Sequence, residues 1–300
     1  MPEVSIIVPN YNHAEFLTQR LDSIFNQIYK DYEVILLDDA SNDNSVEILK
    51  RYSQHPKVSH FIINDKNSGS PFKQWQKGIS LARGKYIWLA ESDDYCEDTF
   101  LDKLIKAFND NEVVISYCQS RLVDSKGQTL YDKMTYWTDD LDKNKWLNNY
   151  IIDGEVECRN YLSKKCTITN ASSVIFKKEC TERIDWDINK FKQAGDWLFW
   201  IKLSMLGKIS FLSETLNYFR FSPNNTRKHD SKYKVLRNIK EELWILHYLK
   251  KQKLISKSDF RNRKRVFLKK AHIYIPKKLW ILTKDEIREM ISIIKYHFIY

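Results

Sequence analysis

The chain has 300 residues, of which 43% are hydrophobic and 14% aromatic, enough to bury one large α/β core. Its formal charge of +10 is uneven: residues 227–300 carry 21 Lys and Arg against 7 Asp and Glu, whereas residues 1–226 carry 28 against 32. Five cysteines without a CxxC pair argue against a zinc site and fit reduced thiols in the cytoplasm, the Met-Pro-Glu-Val-Ser start lacks a signal-peptide pattern, and no run of about 18 apolar residues is present to span a bilayer.

Val4 to Val8 is a short apolar run that stops at Pro9-Asn10-Tyr11-Asn12, the pattern of a buried strand feeding a loop. Leu17, Leu21, Ile24, Phe25 and Ile28 recur at helical spacing. Val34 to Leu37 predicts a second strand, closed by Asp38-Asp39. Asp43, Asn44 or Ser45 can cap the next helix, with Val46, Leu49 and Tyr52 on its inner face. Val58 to Ile63 predicts a third strand. Asn67-Ser68-Gly69-Ser70-Pro71 then leads into a helix carrying Phe72, Trp75, Ile79 and Ala82, with Gly84 placed as its C-terminal cap. Tyr86 to Leu89 predicts a fourth strand, ending at Glu91-Ser92-Asp93-Asp94. A helix with Leu101, Leu104, Ile105 and Phe108 follows, then a strand from Val113 to Cys118. The alternation predicts an α/β fold, a mostly parallel Rossmann-like sheet with helices on both faces. Ligands of such sheets bind beyond the carboxyl ends of the strands, where Tyr11, Asp38-Asp39 and Glu91-Asp93-Asp94 would meet.

The second half is less regular. Ser125-Lys126-Gly127-Gln128 reads as a hairpin turn, residues 131–165 as loops with short helices, and Ser172 to Phe176 as a strand. Trp197 to Leu206 is a strongly apolar helix with Asp196 near its start. Past Pro223 come Lys-rich helices, broken at Pro276, with a heptad-like stripe of Leu236, Ile239, Leu243 and Leu246. This region suits an anionic membrane surface, and equally a helical cap on the rest of the chain or a homodimer partner. Trp244, Tyr248, Phe267, Tyr274 and Trp280 are interleaved with its basic residues but spaced like helix core, and no nucleic-acid-binding motif accompanies them, so no nucleic-acid partner is expected.

Three acidic positions carry the chemistry. Carboxylates in Glu91-Ser92-Asp93-Asp94 can hold a hard divalent cation, which in turn grips a diphosphate. One of Asp38 and Asp39 can accept a hydrogen bond from a base or ribose while the other closes the Ser41–Ser45 turn, and Tyr11 can stack on the base. Asp196 is either a helix cap or a general base for an acceptor hydroxyl.

Val4-Ser5-Ile6-Ile7-Val8-Pro9-Asn10-Tyr11-Asn12, Leu37-Asp38-Asp39-Ala40-Ser41-Asn42-Asp43 and Ala82-Arg83-Gly84-Lys85-Tyr86-Ile87-Trp88-Leu89-Ala90-Glu91-Ser92-Asp93-Asp94 resemble the successive motifs of family 2 glycosyltransferases over about residues 3–226. The resemblance implies a GT-A fold and transfer with inversion. It implies that Tyr11 stacks on the donor base above Pro9, that Asp39 hydrogen-bonds the base, and that Asp93 is the main metal aspartate with Asp94 beside it. Glu91 replaces the usual first Asp of that motif and would face ribose or a metal-bound water. Asp196 matches the catalytic base, with Gly195 where an acidic residue is common. Tyr218-Phe219-Arg220-Phe221-Ser222-Pro223-Asn224-Asn225 resembles the family's Tyr-Arg-x-His loop, with Ser222 at the His position. Arg220 would neutralise the diphosphate or pair with a carboxylate, and Lys73 is a further phosphate candidate.

The expectation is a hexosyltransferase that takes a nucleoside-diphosphate sugar, UDP being usual in the family, with Mn²⁺ or Mg²⁺. Its acceptor would be a hydroxyl of a glycan or lipid-linked molecule in surface polysaccharide synthesis, reached at the inner face of the cell membrane. Residues 1–226 would form the catalytic domain, with 1–118 as the donor half and 119–226 as the acceptor half, and acceptor specificity would lie in 131–195. Residues 227–300 would form the basic helical region. A sugar nucleotidyltransferase would want a glycine-rich basic loop, and Pro9 to His13 contains no Gly, Lys or Arg.

Overall fold

The computed structural model describes residues 1–221 and 232–274. Ser222 to Asn225, Pro276 and Trp280 lie outside the described residues, as does the side chain of Tyr274. The first half runs β1 (Val4–Asn10), α1 (Ala14–Phe25), β2 (Tyr32–Asp38), α2 (Ser45–Tyr52), β3 (Val58–Ile63), α3 (Pro71–Leu81) and β4 (Tyr86–Leu89). It continues through β5 (Tyr95–Cys96), α4 (Phe100–Ile105), β6 (Val113–Val123), β7 (Thr129–Tyr131) and α5 (Thr135–Thr138). Then come β8 (Tyr150–Asp153), α6 (Gly154–Glu157), β9 (Val174–Lys177), α7 (Gly195–Ser204), β10 (Lys208–Arg220), α8 (Lys232–Lys251) and α9 (Lys257–Tyr274).

One mixed, mostly parallel sheet has the order β3-β2-β1-β4-β9-β6-β10-β5, with β7 on β6 and β8 on β10. The pairs β1–β2, β1–β4, β2–β3 and β6–β10 are parallel. β9 lies antiparallel between β4 and β6, so β6 again points the same way as β4. The carboxyl ends of β1, β2, β4, β6 and β10 therefore open on one side.

Strand alternation sends side chains to two cores. Ile7, Ile35, Leu37 and Leu89 pack with Trp75 of α3 and Trp200 of α7, while Ile6, Val8, Leu36 and Trp88 pack with Leu17 and Leu21 of α1 and Phe100 of α4. Burial on both faces explains why these strands read as continuous apolar runs.

Two local readings change, and a third gains a second role. Gly84 does not cap α3, which ends in extended backbone at Ala82. A Cβ at Gly84 would stand 2.6 Å from the Ser5 nitrogen, so its bareness permits contact with β1, where its N–H donates to Ser5 Oγ at 2.8 Å. β8 lies inside the stretch read as loops with short helices. Asp43 braces two helix starts at once, accepting from the N–H groups of Ala14 at 2.9 Å and Ser45 at 3.0 Å.

α8 is packed on the chain. Leu236, Ile239, Leu243 and Leu246 are wholly buried with Phe260 of α9, and Ile245 and Leu249 join the core that holds Trp200. Trp244 meets Phe191 edge-on at 5.7 Å. The apolar stripe is thus satisfied within the chain. No disulfide joins the five cysteines, and among the described residues no helix is long and apolar enough to cross a membrane.

Candidate active site

The loops after β1 and β2 are laced together. Asn12 and Ala40 both adopt left-handed backbone, with φ of 56° and 61°. The Asn12 N–H donates to Ser41 Oγ at 2.9 Å, and the Asn42 N–H donates to Asn12 Oδ1 at 2.7 Å. Pro9 is buried in β1, and Tyr11 is left 42% exposed above this junction. The two aspartates divide their work. Asp38 accepts from the Ser41 N–H (2.8 Å), Ser41 Oγ (2.7 Å) and Asn10 Nδ2 (2.8 Å), so it closes the loop. Asp39, 5% exposed, accepts at Oδ1 from Asn64 Nδ2 (2.7 Å), the Ser68 N–H (2.9 Å) and Gln74 Nε2 (2.8 Å). Its Oδ2 takes one bond from Ser68 Oγ at 2.8 Å and keeps acceptor capacity.

Beyond β4 the three acids have three environments. Asp94 is buried and accepts from Asn170 Nδ2 (2.8 Å), Ser172 Oγ (2.6 Å) and the Arg220 N–H (2.8 Å). Burial, aided by the Asp93 charge, pushes its carboxyl up to about 6. Glu91 accepts from Trp75 Nε1 at 2.7 Å, and burial, with the charge of Asp93 next, pushes it up to about 8. Asp93 is partly exposed. Ser92 bonds His13 Nδ1 at 2.8 Å and so ties this turn to the one after β1. Behind the acids lies Arg20, fully buried, 4.8 Å from the Trp88 ring centre and making no hydrogen bond to oxygen among the described residues.

Arg220 is a strut for the acidic turn. Its guanidinium donates to the carbonyls of Asp93 (2.8 Å), Asp124 (3.1 Å) and Ser125 (2.9 Å) and to Gln19 Oε1 (2.6 Å), and is 2% exposed. That geometry differs from the expected phosphate or carboxylate pairing, because the donors already point at three main-chain carbonyls and the Gln19 side-chain oxygen. At Asp94, Oδ2 takes two protein donors and Oδ1 takes one.

The third part of the site comes through α3. Trp75 reaches Glu91 with its N–H and packs its ring on Phe199 and Trp200 of α7 at 5.6 and 6.1 Å. Phe72 lies under the start of α7: a Cβ on Gly195 would come within 2.5 Å of its ring. An acidic residue there would collide with Phe72. Asp196 follows as the second residue of α7 and is partly exposed, with Oδ1 accepting from the Trp197 N–H at 2.8 Å. Lys73, on the exposed side of α3, donates to the Ser68 carbonyl at 3.1 Å.

The structure thus gathers Pro9, Tyr11, Asp39, Glu91 and Asp93 at the strand ends and links Asp196 to Glu91 through α3. Sequence reasoning missed Trp75, Asn170, Ser172, Ser68, Gln74 and His13. Only Ser68, in its Asn-Ser-Gly-Ser loop, had a local signal. Among the described residues no group of three or more His, Cys, Asp or Glu could hold a metal. The acids suit a single-carboxylate site at Asp93 completed by substrate oxygens, as Mg²⁺ commonly accepts. An open cleft of about 460 Å³ beside β8, lined by Asp142, Lys145, Asn148 and Tyr150, includes none of these residues.

The mostly parallel sheet with acids at its strand ends has the GT-A architecture of glycosyltransferases. The sequence profile of glycosyl transferase family 2 matches residues 5–181, and the chain belongs to that family. It is 27% identical to an uncharacterised glycosyltransferase of Methanocaldococcus jannaschii over 88% of this chain and 81% of that protein. It is 24% identical to the putative teichuronic acid biosynthesis glycosyltransferase TuaG of Bacillus subtilis, over 83% and 91% of the two chains. Among solved structures it resembles Staphylococcus aureus TarS, residues 1–349, in complex with UDP-GlcNAc. The TM-score is 0.69 and the identity 18%, covering 98% of this chain and 81% of that one. The protein is a glycosyltransferase.

Proposed function

We propose that this enzyme transfers a hexosyl group, with inversion, from a UDP-sugar to a hydroxyl of a glycan or lipid-linked acceptor in surface polysaccharide synthesis. The observation that carries the reading is the partly exposed Asp196 at the head of α7, coupled through Phe72 and Trp75 to the donor-side acids. UDP-GlcNAc bound to TarS and the teichuronic acid biosynthesis for which TuaG is named support the donor and product classes.

Tyr11 stacks on the base, Asp39 Oδ2 accepts from it, and Glu91 bonds a ribose hydroxyl. Lys73 stands at the mouth of the crevice as a phosphate contact. Asp196 takes the proton as the acceptor oxygen attacks the anomeric carbon, and the bond to the diphosphate breaks on the opposite face. Asp93 would hold the divalent cation, Mn²⁺ or Mg²⁺, which would supply charge neutralisation for the leaving group. Asp94 and Arg220 keep the acidic turn in place beneath it.

Asp196→Asn should lower turnover by about 10²–10⁴-fold while the thermal shift induced by UDP stays as in the parent. Preserved turnover would remove Asp196 from the mechanism. Arg261, Arg265, Lys269 and Lys270 lie exposed on α9, which supports docking at the anionic inner face of the membrane. Equal sedimentation with neutral and anionic vesicles would remove that part of the reading.

A further inference from the structure

Glu241 of α8 lies 60 residues beyond the end of the family match at residue 181 and is 4% exposed. Its Oε1 accepts from the N–H of Lys192 at 2.7 Å, and its Oε2 accepts from those of Gln193 at 2.9 Å and Ala194 at 2.8 Å. These three successive amides lead straight into α7, whose second residue is Asp196. Among the described residues the cap position makes no side-chain bond to the helix start. Ala194, at the cap position, has no side-chain oxygen to offer, and the Asp196 Oδ1 accepts from the Trp197 N–H. The helix start is therefore steadied by a carboxylate delivered from another helix, at the end where the helix dipole favours negative charge.

The delivery is rigid. Trp244, one turn along α8, packs on Phe191, the residue just before the clamped amides, and Ile245 and Leu249 are wholly buried in the core beneath α7. From the other side Phe72 presses against Gly195. The segment entering α7 is held between α3 and α8, which fixes the direction in which Asp196 projects. A buried carboxylate opposes folding unless it is bonded, and burial raises its proton affinity here against the pull of three N–H groups.

We propose that Glu241 is a positioning residue for the base, holding the Lys192–Ala194 segment so that Asp196 meets the acceptor hydroxyl. This rests on the reading of Asp196 as the base. Glu241→Gln keeps the volume but turns one acceptor oxygen into a donor that faces N–H groups. It should cut kcat by about tenfold or more, leave donor KM and the UDP thermal shift within about twofold, and add less than about twofold on an Asp196→Asn background, because residues acting through one another are not additive. Glu241→Asp, which keeps the charge but withdraws it by one methylene, should fall between the two and provides the test if the amide variant folds poorly. Amide hydrogen exchange should quicken at Lys192, Gln193 and Ala194 in Glu241→Gln.

Unchanged kcat in Glu241→Gln, or a loss that multiplies in full on the Asp196→Asn background, overturns the proposal. If Asp196→Asn alone keeps its turnover, the base assignment falls, and the exchange measurement still decides the clamp: unaltered exchange at the three amides means that Glu241 does not hold them.

Discussion

The main-chain N–H of Arg220 donates to Oδ1 of Asp94 at 2.8 Å, and the Nε of the same arginine donates to the carbonyl of Asp93 at 2.8 Å. The last residue of β10 thus grips the acidic turn after β4 through both main chain and side chain, and its remaining donors bind the turn after β6 and Gln19 of α1. Four segments far apart in sequence meet at one buried guanidinium. Lysine has three donors on a point charge and cannot span the planar fork that these oxygens require. Arg220→Lys should therefore lose about 2–3 kcal/mol of stability, read as a lowered urea midpoint. A midpoint equal to that of the parent would mean that the strut is dispensable.

The neighbouring acids should respond oppositely to the same chemical change. Asp93 is partly exposed, whereas Asp94 is buried under three donors. Asp93→Asn should leave the melting curve within about 0.5 kcal/mol of the parent and cut turnover by about 10²–10³-fold. It should also abolish the added thermal shift that Mn²⁺ gives with UDP. Asp94→Asn turns an amide N–H₂ toward at least one existing donor and should lose about 1–3 kcal/mol of stability. Equal melting losses in the two variants would show that this division between them is mistaken.

How far the sequence reached depends on the range over which each signal acts. Local signals were reliable: Val4 to Val8, Asp38-Asp39 and Glu91 to Asp94 sit at the strand ends where period and turn chemistry place them, because strand burial and loop entry involve adjacent residues. Partnerships were not legible. Asp39 and Asp38 look alike in the sequence, yet Ser68 and Gln74 reach one and Asn10 and Ser41 the other. Trp75 reads as an inward helix residue, and nothing near it announces that its N–H meets Glu91. The stripe of Leu236, Ile239, Leu243 and Leu246 was correctly apolar, but periodicity cannot say which surface covers it. Glu241 stands among Lys and Leu residues like any helix surface charge.

Glu33 gives the acid limb of stability a specific source. It is buried and accepts from Ser5 Oγ at 2.7 Å, the Arg83 N–H at 2.8 Å and the Arg83 side chain at 2.6 and 2.8 Å. Burial alone would raise its carboxyl, but the bonds from Arg83 and Ser5 outweigh it and hold it below the usual glutamate range. A carboxylate lowered in the folded state stabilises above its unfolded value, about 4.3, and that contribution is lost as pH falls through the lowered folded value. Glu33→Gln should cost about 1–3 kcal/mol at pH 7, trimmed by the half-exposed Arg83. The gap from the parent should close as the pH falls below about 4. A gap independent of pH would assign the loss to shape and not to charge.

Gly195 offers the sharpest test of how the base is aimed. Its missing side chain lets the Phe72 ring lie where a Cβ would be only 2.5 Å away. Neither atom can yield easily, because Phe72 is 3% exposed and packs edge-on against Trp75 at 5.1 Å. Gly195→Ala must push α7 or Phe72 aside, and either movement shifts Asp196 relative to Glu91. Misplacement of about 1 Å at a reacting group can cost about 10²-fold in rate. Turnover in Gly195→Ala should fall on that order, with smaller effects on UDP binding. Adding Phe72→Leu removes the ring atoms that clash, so the double variant should recover a substantial part of the lost rate although Phe72→Leu alone opens a void. If the two losses simply multiply, contact between Gly195 and Phe72 does not govern the position of Asp196, and the aim of the base must be set from the α8 side alone.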